Sequence, residues 1–368
     1  MKIWLAAALL GLTAGSALAD YERHPKVPLL LDTLRDDYGF SPTDLDVVRA
    51  ALKDAQKLPK LIEKELNNKE APQQPPEEAN RLPDWDGYRP IHVNPKNIAN
   101  GVAYLREHAA WFAKAEAEFG VPPTVVAAIM GVETKYGTYT GKVRVLDALA
   151  TQGFDHPRRS PFFFAELTEF FAYAREAARP PAELLGSYAG AMGYAQFMPS
   201  NYRWLALDYD GDGDRDLWSA PDAIGSIAHY LTRYDRKRSW RRGEPLIVPA
   251  KVGAALPAEL ARNGKAADQT VAKLKAASVE PVQPLPATTP VGFVELRRGE
   301  TSEYWLALPN FFAVFTYNPR TFYAMAVTQL ANELAAAQTF EADQAAQAAG
   351  ALPATRGSEA GIATVAAR

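Results

Sequence analysis

Between Val121 and Gly137 the chain has little choice of structure. Val121-Pro122-Pro123-Thr124 opens the stretch; proline is tolerated in a first helical turn, where its missing N–H would have no partner. Val125, Ile129, Val132 and Tyr136 then recur at helical spacing, which predicts a helix with one apolar stripe. Glu133 follows Val126, Ile129 and Met130 at spacings of seven, four and three, so it stands on the edge of that stripe, while Lys135 points elsewhere. A carboxylate there must find a partner or lose its charge. Two readings are open at this point: a solvated or paired glutamate, and a carboxylic acid kept protonated by a raised pKa for general-acid work.

Helical patterning dominates the rest of the chain. Ser41-Pro42-Thr43-Asp44 reads as a capped helix start, with the helix running to about Ala55, and Pro59 begins a short helix through Leu66. Asn67 to Pro76 is a polar, proline-rich connector. Trp85, Tyr88 and Pro90 form an aromatic, turn-rich segment expected not to be helical. Asn94-Pro95 starts a helix with the stripe Ile98, Val102, Leu105, Ala109, Phe112 and Phe119, ended by Gly120. Further helices are predicted over Phe162 to Ala178, Pro221 to Tyr234 and Thr321 to Ala336. From Arg241 to about Arg298 prolines recur and alternation appears in Leu246-Ile247-Val248 and Val291-Gly292-Phe293-Val294, around a helical piece near Ala267 to Ala277; this is a small mixed or β subdomain. After Thr339 the Ala, Gln, Gly, Thr and Glu composition predicts a disordered tail.

The 368 residues are long enough for two or three domains. A net charge of −3 gives no support for a nucleic-acid binder. Without cysteine, disulfides, thiolate nucleophiles and cysteine-ligated zinc are excluded. Met1-Lys2, the short apolar run Ile3 to Leu12 and Ala17-Leu18-Ala19 before Asp20 predict a cleaved secretory signal rather than a membrane anchor. The mature protein is expected to be soluble outside the cytoplasm.

Three motifs carry chemistry. In Asp208-Tyr209-Asp210-Gly211-Asp212-Gly213-Asp214-Arg215-Asp216, acids at the first, third and fifth positions and glycine at the sixth match the start of an EF-hand calcium loop. The twelfth position, which should be glutamate, is Ser219, and Asp222 three residues later is the expected closing ligand. In Gly186 to Ser200 four glycines let backbone lie close to a ligand, and Tyr188, Tyr194, Gln196 and Phe197 offer stacking faces and an amide suited to sugar rings; a tight loop of no further use is the alternative. His156-Pro157-Arg158-Arg159-Ser160 places two arginines beside a turn, where they could hold acidic groups or make ordinary ion pairs. The five histidines show no metal-ligand spacing.

With these motifs the chain resembles the lytic murein transglycosylase B family. Gly131-Val132-Glu133-Thr134, Leu146-Asp147-Ala148-Leu149-Ala150-Thr151, Pro157-Arg158-Arg159 and Gly190 to Ser200 come in that family's order and spacing. Asp222 to Ser226, Leu308-Pro309-Asn310-Phe311, Tyr317-Asn318 and Tyr323 to Val327 continue the likeness, which covers roughly Leu82 to Ala336. Tyr188 departs from the phenylalanine common in relatives, and the cysteine of lipoprotein relatives is missing, so the resemblance implies a soluble periplasmic form.

The resemblance implies an α+β, predominantly helical protein: a lysozyme-like catalytic core with flanking helices and a small β subdomain insert. The expected organisation is signal peptide 1–19, N-terminal helical region and linker 20–80, core with calcium loop 81–240, subdomain 241–298, return to the core 299–338 and tail 339–368. It implies cleavage of the β-1,4 bond between N-acetylmuramic acid and N-acetylglucosamine, with Glu133 as both acid and base and a 1,6-anhydro product. Ser187 and Gln196 are expected beside Glu133, and Tyr88, Arg158, Arg159, Tyr188, Tyr230, Asn310, Tyr317 and Tyr323 along the glycan cleft. Asp208, Asp210, Asp212, Asp214 and Asp222 are expected to hold a structural calcium. Glycan strands are the expected partner, other cell-wall enzymes a further one, and the expected state is a monomer. The rival readings are a muramidase, with Asp147, Asp155 or Glu166 as second carboxylate, and a non-catalytic peptidoglycan-binding scaffold.

Overall fold

The computed structural model describes residues 21–67, 84–253 and 256–348. The expected signal peptide, all but the first residue of the connector that follows Leu66, and the tail from residue 349 lie outside them.

In chain order the helices are α1 (Val27–Asp36), α2 (Pro42–Asp54), α3 (Lys60–Asn67), α4 (Trp85–His92), α5 (Pro95–Glu107), α6 (Ala109–Phe119) and α7 (Pro123–Thr134). Then come β1 (Val143–Arg144), α8 (Val145–Asp155), α9 (Ser160–Glu176), β2 (Leu185–Gly186), α10 (Pro199–Leu205), α11 (Ala220–Arg233) and β3 (Ile247–Val252). The chain continues with β4 (Gln269–Thr270), α12 (Val271–Ala276), β5 (Val279–Pro281), β6 (Pro290–Arg298), β7 (Thr301–Ala307), α13 (Pro309–Tyr317) and α14 (Thr321–Ala348). The protein is thus mostly helical, with small sheets.

The chain divides into two compact units. One comprises Met1–Ala71 with Lys142–Gly190, the other Pro72–Gly141 with Ala191–Arg368. The span 81–240 expected as one core is therefore shared between them.

In the first unit α2 starts as its sequence predicts. Ser41 Oγ accepts from Asp44 N (3.2 Å), and the Asp44 carboxylate accepts from Ser41 N (2.9 Å), so each satisfies an orphan donor of the other. Helix α8 is buried from Val145 to Phe154 and packs along α9. Its buried polar residues receive the incoming N-terminal segment: Asp147 accepts from Gln56 N (2.9 Å) and Thr151 from Leu58 N (3.0 Å). Asp155, at the helix end, accepts from Tyr21 Oη (2.7 Å) and pairs with Lys57 (2.8 Å).

The second unit is built around α7, which is buried from Thr124 to Gly131, more completely than a single stripe requires. Helices α5, α6, α11 and α14 all pack on it. The helix stops at Thr134 because Lys135 and Tyr136 turn left-handed (φ 51° and 59°). Tyr136 folds back, and its hydroxyl donates to Asn97 O (3.1 Å). A Cβ at Gly101 or Gly131 would collide with that ring, so the two glycines make its slot. The same unit carries a five-stranded antiparallel sheet of order β4-β6-β7-β3-β5. Its core is Val248, Val271, Leu274, Val279, Val291, Phe293, Leu306 and Leu308.

Four expectations are corrected. Trp85–His92 is helical: Asp84 caps it by accepting from Asp86 N (2.9 Å), and its rings find partners in Phe322, which outweighs the Pro90 break. The helix from Asn94 to Gly120 is two helices, parted at His108, which leaves helical geometry (φ −107°, ψ 24°). The sheet continues beyond Arg298, since β7 pairs with both β6 and β3. Helix α14 runs to Ala348, because the Ala-, Gln- and Glu-rich sequence after Thr339 is a strong helix former as well as a polar one.

Candidate active site

Glu133 occupies the last turn of α7, partly exposed at the end of a buried helix. Its Oε1 accepts a hydrogen bond of 2.6 Å from the hydroxyl of Tyr323 in α14. Burial pushes its carboxyl up to about 7, and the Tyr323 hydrogen bond, which favours the charged form, pulls the other way. The free carbonyls of a helix C-terminus also disfavour an anion there. The result is a carboxylic acid that holds its proton near neutrality and can both give and take it.

Tyrosines surround this group. Tyr317 stacks parallel to Tyr323 (centroids 6.5 Å, 11°), and its hydroxyl donates to Ala195 O (2.6 Å). Burial first, and the Glu133 charge next, raise both phenols well above the ordinary tyrosine value, so they stay neutral donors. Tyr88 on α4 lies between Trp85 (5.9 Å) and Phe322 (5.3 Å), near enough for the Glu133 charge to add to the effect of burial on its phenol.

The glycine-rich stretch crosses the division between the units. On the second unit it forms a tight turn in which Met192 and Phe197 exchange backbone hydrogen bonds (2.8 and 3.1 Å). The turn needs left-handed backbone at Gly193 (φ 70°) and also at Gln196 (φ 49°), where a side chain makes it costly. The Gln196 amide nitrogen donates to Thr140 O (3.1 Å) and Gly193 O (2.9 Å), which fixes the side chain within the turn. Thr134 joins this turn to α7: its hydroxyl donates towards Met130 O and Tyr194 O (3.2 and 3.3 Å) and accepts from Gly137 N (3.0 Å). A threonine directly after the acid was the available signal for this role.

Ser187, Tyr188, Arg158 and Arg159 belong to the first unit. Ser187 Oγ accepts from Ala189 N (3.3 Å), and Tyr188 is 69% exposed. Arg159 lies over the rings of Phe162 and Phe163 (4.9 and 4.8 Å), and His156 Nδ1 accepts from the backbone of Arg158 and Arg159 (3.2 and 3.1 Å), fixing the arginine turn. The candidate second carboxylates are also there: Asp147 and Asp155 hold the N-terminal segment, and Glu166 is buried and partnered.

Two residues expected along the cleft do not line one. Asn310 is fully buried; its amide oxygen accepts from Arg241 N (2.7 Å), and its nitrogen donates to the carbonyls of Arg241 (2.8 Å) and Glu244 (2.7 Å). Tyr230 is 3% exposed, donates to Thr316 O (2.9 Å) and backs Tyr317 (4.7 Å).

In the aspartate loop, carboxylate oxygens of Asp208, Asp210 and Asp222 lie within 4.8 Å of one another. Asp222, in the first turn of α11, is buried and accepts from Tyr209 N (2.7 Å) and Asp216 N (2.8 Å). Asp212 and Asp214 are outside this group; each turns a carboxylate oxygen to the next loop amide, Asp214 N and Arg215 N (both 2.8 Å), so the expected five ligands reduce to three convergent ones. Three convergent hard oxygens, one of them from the buried closing carboxylate, fit a calcium ion.

The family described as Transglycosylase SLT domain matches residues 31–332. The chain belongs to this transglycosylase family. It is 36% identical over 320 residues to the membrane-bound lytic murein transglycosylase B of Escherichia coli K12, covering 87% of this chain and 85% of that protein. The fold is similar to that of the lytic transglycosylase SltB1 of Pseudomonas aeruginosa (TM-score 0.76, 37% identity, 86% of this chain and 99% of the other). It is also similar to the Escherichia coli lytic transglycosylase SLT35, solved with bulgecin A (TM-score 0.74, 36% identity, 86% and 95%) and with calcium (TM-score 0.73, with the same identity and coverage). Among the described residues of this transglycosylase, no helix is long and apolar enough to cross a membrane.

Proposed function

We propose that the protein is a lytic murein transglycosylase, an enzyme that cleaves the β-1,4 bond between N-acetylmuramic acid and N-acetylglucosamine in peptidoglycan and leaves a 1,6-anhydro sugar. The observation that carries the reading is Glu133: one carboxyl, held protonated to about pH 7 by burial and oriented by Tyr323. As an acid it protonates the leaving glycosidic oxygen. As the resulting carboxylate, steadied by the Tyr323 hydroxyl, it takes the proton from the muramoyl C6 hydroxyl, whose oxygen attacks C1. One C–O bond breaks, one forms, the proton returns to the carboxyl, and no water is consumed. Intramolecular attack brings a large effective-molarity advantage.

A muramidase would need a second carboxylate, and each candidate for one already has structural work in the first unit. The Gln196 amide oxygen is suited to accept from the substrate N-acetyl N–H, and the neutral phenols of Tyr88 and Tyr317 suit sugar hydroxyls, while Tyr323, as buried as Tyr230, acts through Glu133. Ser187, Tyr188, Arg158 and Arg159 contribute further contacts to glycan and its acidic groups. Asp208, Asp210 and Asp222 would hold a calcium ion, whose charge would neutralise theirs and tie the loop to α11. The protein works in the periplasm.

Mass analysis of products from purified sacculi tests the reaction. Muropeptides should be lighter by one water than muramidase products and should carry no label from heavy-oxygen water. Label at the muramoyl C1 would establish hydrolysis instead.

A further inference from the structure

The run Asp235-Arg236-Lys237-Arg238-Ser239-Trp240-Arg241-Arg242 follows α11 and carries five cations against one acid, in a chain whose formal charge is −3. Such a run is ordinarily a solvated strap. Here it is fixed at three points. Trp240 is buried, with its indole N–H donating to Gly120 O and its backbone N–H to Leu231 O (both 2.8 Å). The buried Asn310 amide makes the three hydrogen bonds to the backbone of Arg241 and Glu244 described above. Asp235 pairs with Arg238 (2.7 Å) and accepts from Lys237 N (2.9 Å). Arg242 has a local use: its guanidinium donates to Glu116 O (3.2 Å) and Ala117 O (2.9 Å) at the C-terminal end of α6, where a cation is favoured.

Three of the cations that remain meet at a cavity of about 370 Å³ in the second unit, within the range of small-ligand sites. Lys237, Arg238, Arg241 and Lys265 line it, and Asp235 is the single acid among the lining residues. Arg238 joins two of its walls by donating to Lys265 O (3.4 Å). Lys237 and Lys265 are exposed and have no ion pair among the described residues. Pro309 and Phe312, both buried, form an apolar floor beside Ala266 and Ala267. Four cations against one acid leave a net positive lining, and a concavity with such an excess focuses its field on an incoming anion. The floor asks for a small apolar portion in the same ligand, and Asp235 offers an acceptor to an N–H group, which a dense anion such as phosphate lacks.

We propose that this cavity binds a short acidic peptide, its carboxylates held by Lys237 and Lys265 and a small apolar side chain lying against Phe312. The cavity shares no lining residue with the Glu133 site, so the proposal stands apart from the glycan chemistry.

Calorimetric titration of the full-length protein with the peptide Glu-Ala-Glu at low salt tests it, with Gln-Ala-Gln and inorganic phosphate as comparison ligands. Glu-Ala-Glu should bind at least tenfold more tightly than either. The double variant Lys237→Ala/Lys265→Ala should lose at least tenfold in affinity with an unchanged melting temperature, because both side chains are exposed and support no packing. The proposal is overturned by absence of Glu-Ala-Glu binding at millimolar concentration. Equal binding of Gln-Ala-Gln, equal binding of phosphate, or undiminished binding to the double variant would overturn it as well.

Discussion

Glu133 and the aspartate loop hold the same functional group in opposite settings. Glu133 is alone, at the end of a buried apolar helix, with one neutral hydroxyl for a donor, and its carboxyl is driven towards the protonated form. In the loop several carboxylates crowd together, but water and backbone N–H groups surround them: Asp208 alone accepts from Gly211 N (2.7 Å) and Gly213 N (3.0 Å). Asp222 sharpens the contrast, because it too is buried and its carboxyl is also raised, first by desolvation. Two backbone N–H groups hold it, against the single phenol on Glu133. Isolation makes an acid; company and amide donors make a cation ligand.

The comparison can be broken most directly at Glu133. Glu133→Gln keeps the shape and removes the exchangeable proton, so turnover on sacculi should fall by at least the two to four orders of magnitude that general acid–base catalysis supplies, while glycan binding persists. Full activity in this variant would remove Glu133 from the reaction.

At the loop, calcium at about a hundred times its dissociation constant should stabilise the wild type by about 2.7 kcal/mol, read as a rise in melting temperature that a chelator reverses. Asp208→Asn should abolish that gain, whereas Asp212→Ala, outside the convergent trio, should keep most of it. The reverse ranking would show that the ion sits elsewhere in the loop.

The two sites should also differ in how pH acts on them. Below the ordinary value of 4.5 the Glu133 carboxyl is protonated folded or unfolded and has no effect on stability. Between 4.5 and about 7 the unfolded chain releases the proton and the folded one keeps it, so stability declines as pH rises, and above 7 the full cost of a buried anion applies. Glu133→Gln should therefore be more stable than wild type at pH 8, by on the order of 1–3 kcal/mol once partial exposure is allowed for, and nearly equal at pH 4. Equal denaturant midpoints at both pH values would mean the carboxyl is not desolvated.

The smallest effect belongs to Tyr323→Phe. Its hydroxyl favours the carboxylate, so its loss should raise the Glu133 pKa, move the alkaline limb of the pH–rate profile upward from about 7, and lower turnover by about tenfold. A limb that stays in place would show that the hydrogen bond does not set the proton affinity.

Local chemistry was legible in the sequence wherever it is written in adjacent residues. The Ser41 cap, the Pro122-Pro123 start and the Gly120 stop all appear where their residue types require. Glu133 could be placed on its helix, but its two candidate states could not be separated, because what raises the carboxyl is burial by helices far away in the chain. Asn310 was misread for the same reason: an asparagine in a shared motif looks the same whether it meets ligand or backbone. The helix over Trp85–His92 was hidden because its rings are matched by Phe322, more than two hundred residues on.

The hydrogen bond between Glu133 and Tyr323 spans 190 residues of sequence. A chain made from its N-terminus completes α7 long before α14 exists, and until then the flank later covered by Leu330 and Leu334 lies bare. The same docking event that closes the core against aggregation also brings the phenol to the acid. A nascent chain that has not yet made α14 therefore has the carboxyl without the hydroxyl that donates to it, and the state of Glu133 is set only when α14 docks.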